Sequence, residues 1–207
     1  MRDPLKERFA ALLKECPMVA ILRGITIEEI PQVCAALEET GVRLLEIPLN
    51  TPNALACIAR AVECCGDRMM CGAGTVLTPE DVSAVCRAGG QFIISPNTDA
   101  AVIRATVEEG MISMPGFLTP SEAFTAIAAG ADYLKLFPAG NFGLSYIRNI
   151  QAVVKAPILA VGGVDASNMA DFLKLCVGVG IGGALYRPGK SIQDIRQDAA
   201  AMCAALK

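Results

Sequence analysis

The sequence alternates short apolar runs with segments of helical pattern about eight times, and this alternation strongly constrains the fold. Each run and the segment after it have the length of one strand-and-helix unit. Eight such units in 207 residues predict an α/β fold, a small (β/α)8 TIM barrel, as a single domain over residues 1–207. The predicted strands are residues 18–22, 44–48, 69–73, 92–95, 112–114, 132–137, 158–161 and 177–181.

Helix-boundary residues separate the predicted strands. In TPEDVSAVCRAGG (78–90), Thr78 is a typical N-cap and Pro79 suits the first helical position. TPSEAFTAIAAGA (119–131) repeats this pattern, and the opening MRDPLKERFAALLKECP predicts a short N-terminal helix. An open doubly wound sheet is the alternative to the barrel. The barrel is favoured because there are eight units and no GxGxxG motif follows the first strand.

The composition excludes several classes of protein. Hydrophobic residues make up 53% and charged residues 19%, which is typical of a compact body. A net charge of −3 gives no basic field to attract nucleic acid. The sequence has no long uncharged apolar run and no signal-peptide pattern, so we expect no membrane association and a cytoplasmic protein. It has no histidine, which removes histidine bases, Ser-His-Asp triads and histidine metal sites.

A lysine lies inside one of the apolar predicted strands. In DYLKLFP (132–138), Lys135 is flanked by apolar residues and Pro138 ends the run. Burial disfavours an ammonium ion and lowers the pKa of a lysine. A neutral amine can attack a carbonyl carbon and form a Schiff base. The alternatives are that Lys135 extends to solvent, or that it pairs with Asp132 or Glu46.

Two further charged residues lie at predicted strand ends, where barrel enzymes gather their functional groups. Glu46 is enclosed by apolar residues in RLLEIPLN. A buried carboxylate is costly without a partner, so Glu46 either pairs with Lys135 or Arg23, or moves protons with a raised pKa. Arg23, in AILRGIT, could hold a carboxylate or phosphate in two-point contact, or could face solvent.

Glycine-rich turns follow three predicted strands. CGAGTVLTP (71–79) would expose the Thr75 hydroxyl at a strand end. Gly162–Gly163 and Gly182–Gly183 follow the last two strands, where barrels often bind phosphate. Tight turns also need glycine for purely conformational reasons, but two pairs at these two positions favour a phosphate site.

Seven motifs distributed along nearly the whole chain resemble those of one enzyme family. They are AILRGIT, EIPLNTP, GAGTVL, SPN, PGFLTPSEAF, LKLFPA and AVGGV. In this order they resemble the class I aldolases that cleave 2-keto-3-deoxy-6-phospho sugar acids, the KDPG/KHG aldolase family. The resemblance implies a (β/α)8 barrel, a homotrimer, and activity without a metal or other cofactor.

The resemblance also implies roles for individual residues. Lys135 matches the Schiff-base lysine, and Glu46 matches the carboxylate that moves protons. The expected partners are pyruvate and a 2-keto-3-deoxy sugar acid phosphate. The residues implied to bind the substrate are Arg23, Thr75, Asn50, Pro96, Gly162, Gly163, Gly182 and Gly183.

Two departures from the family pattern bear on the substrate. Asn50 stands where many members acting on 2-keto-3-deoxy-6-phosphogluconate have an arginine, and EIPLN with ILRGIT resembles the branch acting on 2-keto-3-deoxy-6-phosphogalactonate. The same chemistry on 2-keto-3-deoxy-6-phosphogluconate is the alternative. Gly183 stands where some members have a serine, which leaves open an unphosphorylated substrate such as 4-hydroxy-2-oxoglutarate. A phosphate-binding barrel isomerase or epimerase, with Glu46 as its base, remains a further alternative.

Overall fold

The computed structural model describes residues 2–205. In this range helices follow strands in regular alternation after one N-terminal helix. The strands are β1 Met18–Ile21, β2 Leu44–Pro48, β3 Met70–Gly74, β4 Phe92–Ile94, β5 Ile112–Met114, β6 Gly116–Phe117, β7 Leu134–Leu136, β8 Ile158–Val161 and β9 Gly178–Ile181. The helices are α1 Arg2–Glu15, α2 Ile30–Thr40, α3 Ala54–Cys65, α4 Pro79–Arg87, α5 Ala100–Glu108, α6 Pro120–Ala129, α7 Ala139–Val153, α8 Met169–Leu173 and α9 Ile192–Ala204.

The strands form a closed parallel barrel. Pairing runs in the order β5-β4-β3-β2-β1-β9-β8-β7-β6. Strands β5 and β6 are two halves of one barrel strand, separated only by Pro115. The first half pairs with β4 and the second with β7, so the ring closes through this interrupted strand. The predicted (β/α)8 barrel is confirmed, and the open-sheet alternative is wrong.

The break at Pro115 has a local cause. Proline has no backbone N–H and cannot donate to a strand ladder. Its carbonyl is still available, and it accepts a hydrogen bond from the Lys135 N–H at 2.9 Å. The barrel therefore stays closed at a position where the regular ladder is interrupted.

The predicted helix boundaries follow from side-chain capping. Thr78 and Asp81 form a reciprocal capping box at the start of α4, and Thr119 and Glu122 do the same at α6. Each arrangement satisfies two backbone donors that a helix start would leave unpaired. No helix within residues 2–205 is long and apolar enough to cross a membrane.

Helix α1 fills the amino end of the barrel. Phe9 is fully buried, with its ring centroid 5.4 Å from that of Phe92 and 5.1 Å from that of Tyr133. Lys6 on the same helix forms an ion pair with Asp132 at 2.9 Å, just before β7. An aromatic anchor and a charge contact thus hold α1 against the barrel, and the carboxyl ends of the strands lie at the other end.

We expect Phe9→Ala to destabilise the protein by about 3–5 kcal/mol, because it removes a large aromatic side chain from a fully packed site. Urea unfolding followed by circular dichroism would measure this loss. Glu7→Ala, an exposed change on the same helix, is the matched control and should alter the free energy of unfolding by less than about 0.5 kcal/mol. Equal effects of the two changes would contradict the anchoring role of Phe9.

Candidate active site

A cavity of about 540 Å³ opens at the carboxyl ends of the strands. The closed barrel brings residues from distant parts of the sequence to this one face, as expected for the fold. Nine of the ten predicted site residues line the cavity; Asn50 does not. The nine are Arg23, Glu46, Thr75, Pro96, Lys135, Gly162, Gly163, Gly182 and Gly183.

Lys135 is buried at the inner end of the cavity. Its exposed fraction is 7%, and its Nζ lies 4.8 Å from the centroid of the Phe137 ring. Asp132, one of the two predicted alternative partners, pairs with Lys6 instead. Burial lowers the pKa of Lys135; the charge of Glu46 opposes this shift, and that of Arg23 adds to it. These surroundings favour the neutral, nucleophilic amine.

Glu46 is the second buried ionisable group of the cavity. Its exposed fraction is 3%, and within residues 2–205 its Oε2 has no hydrogen-bond partner. The ion pairs of the described residues do not include Glu46 or Lys135. Burial raises the pKa of Glu46, while the charges of Lys135 and Arg23 act to lower it. A carboxyl group with a raised pKa and an unused oxygen is suited to accept and return a proton.

The Glu46 carboxylate has room because residue 74 is glycine. A Cβ atom at Gly74 would overlap Oε2 of Glu46. The two residues lie on the neighbouring strands β2 and β3, in which Pro48 pairs with Gly74 and Glu46 with Gly72. Gly74 therefore leaves the space that the carboxylate occupies.

The turn after β3 contains a strained residue. Thr75 has φ of 56°, a left-handed conformation that is costly for a β-branched side chain. Such conformations persist where the surrounding structure enforces them, and they concentrate at functional sites. In this protein the strained residue is one that lines the cavity.

Asn50 positions Arg23 at the rim of the cavity. Its Oδ1 accepts a hydrogen bond of 2.7 Å from Nη1 of Arg23. The next residue of the same loop, Gly24, donates its backbone N–H to Oγ1 of Thr51 at 3.0 Å. These two hydrogen bonds join the loops after β1 and β2. Asn50 does not line the cavity itself, but it holds Arg23, which does.

The two glycine pairs form turns with open backbone donors. Gly162 and Gly163 have φ of 88° and 73°, a region that glycine adopts without steric cost. In residues 2–205 the N–H groups of Gly163 and Val164, after β8, donate to no acceptor, and the same is true of Gly183 and Ala184, after β9. Outward backbone N–H groups at these two turns can bind an anion.

Several lining residues were not predicted from the sequence. They include Phe137, Asp165, Tyr186, Arg187 and Pro188. The signal that could have identified Arg187 is its place in GIGGALYRPG, between the last glycine pair and a proline–glycine turn. In residues 2–205 no group of three or more His, Cys, Asp or Glu side chains could hold a metal ion.

Opposite effects of two neighbours on Lys135 provide a test of this electrostatic environment. We expect Arg23→Gln to raise the apparent pKa of Lys135, because it removes a nearby positive charge, and Glu46→Gln to lower it, because it removes a nearby negative charge. The measurement is the pH dependence of labelling by an amine-reactive reagent, read by mass spectrometry of the Lys135 peptide. Exposed Lys155 is the internal control. Shifts of the same sign in both variants would contradict this description.

Comparisons with known proteins identify the family of this chain. The chain matches the model of the family described as KDPG and KHG aldolase over residues 9–203. The probable 2-dehydro-3-deoxy-6-phosphogalactonate aldolase of Rhizobium meliloti (strain 1021) is 46% identical over 194 residues, which are 92% of each chain. The 2-dehydro-3-deoxy-6-phosphogalactonate aldolase of Escherichia coli (strain K12) is 44% identical, over 92% of this chain and 95% of the relative.

A solved structure with a similar name has the same fold. The structure named "Native KDPGal structure" has a TM-score of 0.90 and 44% sequence identity, and the match covers 93% of this chain and 95% of that one. The protein therefore belongs to the KDPG and KHG aldolase family and is an aldolase, which makes it a lyase.

Proposed function

We propose that this protein is a class I aldolase that cleaves 2-keto-3-deoxy-6-phosphogalactonate to pyruvate and glyceraldehyde 3-phosphate through a Schiff base on Lys135. The observation that carries the proposal is the pair Lys135 and Glu46, both buried in one cavity and neither in an ion pair within the described residues. An amine kept neutral and a carboxyl group able to exchange protons are the two groups that this chemistry needs.

The reaction begins with covalent capture of the substrate. The neutral Nζ of Lys135 attacks the C2 ketone, and uptake of one proton from solvent together with loss of water gives a protonated imine. The imine withdraws electrons from the bond between C3 and C4. Burial supports this step because it disfavours the ammonium form, which cannot attack a carbonyl.

Glu46 carries the proton transfers that accompany bond cleavage. Its carboxylate accepts the proton of the C4 hydroxyl, directly or through a water molecule. The C3–C4 bond then breaks and the aldehyde leaves. The electron pair of the broken bond forms an enamine on Lys135. Protonation of the enamine at C3 and hydrolysis of the imine release pyruvate and restore the amine. Burial raises the pKa of Glu46, which makes the carboxylate a better proton acceptor than an exposed glutamate.

The remaining lining residues bind the two ends of the substrate. Arg23, held by Asn50, is positioned to bind the substrate carboxylate, and the strained Thr75 lies on the same cavity wall. The open N–H groups of the two glycine turns are suited to the phosphate. Pro96, which lines the cavity after β4, shapes the wall around the pyruvate moiety.

The relatives support the galactonate epimer as substrate. Two relatives named for 2-dehydro-3-deoxy-6-phosphogalactonate are 46% and 44% identical, and Asn50 fits the same branch.

We also propose that the protein is a cytoplasmic homotrimer. Exposed apolar side chains, among them Phe124 and Ile127 on α6, are available for contact with other subunits.

The covalent step is tested by trapping. Incubation with pyruvate and borohydride should give a protein with one reduced pyruvate adduct, located on Lys135 by peptide mass spectrometry. We expect Lys135→Met to form no adduct and to lose turnover, since it removes the nucleophile and keeps a side chain of similar length. Lys155→Met, at an exposed position, is the matched control and should retain both. A folded wild-type protein without an adduct would refute the proposal.

The proton-transfer role of Glu46 is tested with Gly74. We expect Glu46→Gln to lower kcat by about 10²–10⁴-fold while the pyruvate adduct still forms. Gly74→Ala should lower kcat by about 10–10²-fold, because its Cβ displaces the carboxylate.

A double variant distinguishes displacement of the Glu46 carboxylate from an unrelated perturbation of the active site. In a Glu46→Gln background, Gly74→Ala should cause little further loss of kcat, because residue 74 acts through the carboxylate. Full additivity of the two effects would show that Gly74 acts on turnover by another route.

A further inference from the structure

We propose that Arg187 binds the terminal phosphate of the substrate and is the side-chain cation of a phosphate site whose other donors are backbone N–H groups. This inference rests on the proposed function, because it assumes that the cavity takes a phosphorylated substrate. It assigns a specificity-determining role to a residue in the loop after β9.

The position of Arg187 in the cavity gives the first support. It lines the same cavity as Lys135 and both glycine pairs. The turn beginning at Gly182 runs directly into Arg187, and the open N–H groups of Gly183 and Ala184 belong to that turn. A guanidinium beside such donors can add a two-point, charge-assisted contact to a phosphate.

The two cations of this loop differ in their contacts. Lys190 donates to the carbonyls of Ala184 and Leu185 at 2.9 and 2.8 Å and pairs with Asp198. It therefore holds the turn in place. Arg187 is exposed at the cavity, and its side chain makes no hydrogen bond or ion pair within residues 2–205, so it remains available for a ligand.

The chain on both sides of Arg187 is fixed. Tyr186 is 2% exposed, and its hydroxyl donates to Oε2 of Glu29 at 3.2 Å. Pro188 lies against the loop after β1, where a Cβ at Gly24 would come within 2.9 Å of its Cγ. The base of the Arg187 side chain is thus held in place, which reduces the entropy that binding must overcome.

The charges of the cavity also favour a third cation. Asp165 lines the cavity, and hydrogen bonds from Ser167 hold its pKa below the ordinary value, so its carboxylate is ionised at neutral pH. Of the other two cations, Lys135 is needed as a neutral amine and Arg23 is held by Asn50. Gly183 has no side chain that could donate. Arg187 is therefore the cation of the cavity that is left to balance the charge of a phosphate dianion.

The test compares two aldehydes in the direction of aldol addition to pyruvate. We expect Arg187→Gln to lower kcat/KM for glyceraldehyde 3-phosphate on the order of ten- to a hundred-fold. The kcat/KM for glyceraldehyde, which has no phosphate, should stay within about two-fold of wild type. Arg187→Lys should recover part of the loss, because it restores the charge without the two-point geometry. Arg104→Gln, an exposed arginine on α5 outside the cavity, is the matched control and should change neither value.

The trapping assay separates failure of this inference from failure of the proposed function. Arg187→Gln should form the same pyruvate adduct on Lys135 as wild type. An adduct together with an undiminished preference for the phosphorylated aldehyde in Arg187→Gln would overturn the role of Arg187 alone. An equal loss with both aldehydes, or a wild type that has no preference for the phosphate, would also overturn it. A wild-type protein that forms no adduct would instead overturn the aldolase mechanism.

Discussion

Two ionisable side chains, Lys135 and Glu46, buried in one cavity without an ion pair within the described residues, are the constraint on which the rest of this barrel depends. A direct pair would stabilise both ions, but it would also keep Lys135 protonated and Glu46 ionised. The structure instead keeps Glu46 against Gly74 and holds Lys135 near the Phe137 ring. The free energy that this arrangement costs is offset by apolar burial throughout the barrel and by helix α1 at its amino end.

Much of the fold could be predicted because each strand-and-helix unit carries its own local signals. Apolar runs, threonine N-caps and prolines at first helical positions are properties of neighbouring residues, and they identified all eight units. Features that depend on distant contacts were not predictable in this way. The division of one barrel strand at Pro115, and the pairing of Asp132 with Lys6 on α1, arise only when the ring closes and α1 packs against it.

The candidate site was predictable to the extent that it lies at strand ends. A closed parallel barrel brings those ends together, so Lys135, Glu46 and the glycine pairs could be expected at one face before any distance was known. Site residues in the loops were harder to predict from the sequence. The hydrogen bond between Asn50 and Arg23 and the place of Arg187 in the cavity were not predicted, because loop paths depend on contacts such as that between Pro188 and Gly24.

Helix α1 also restricts where ligands can enter and leave. Because it fills the amino end of the barrel, the part of the chain that the structure describes leaves the cavity a mouth only at the opposite end. On the proposed mechanism, pyruvate is bound covalently at the inner end and the aldehyde lies between it and solvent. The aldehyde must then depart before the imine can be hydrolysed, and pyruvate must load first in the reverse direction. The covalent chemistry sets this order, and helix α1, which carries no catalytic group, restricts ligand exchange to the face at which that chemistry takes place.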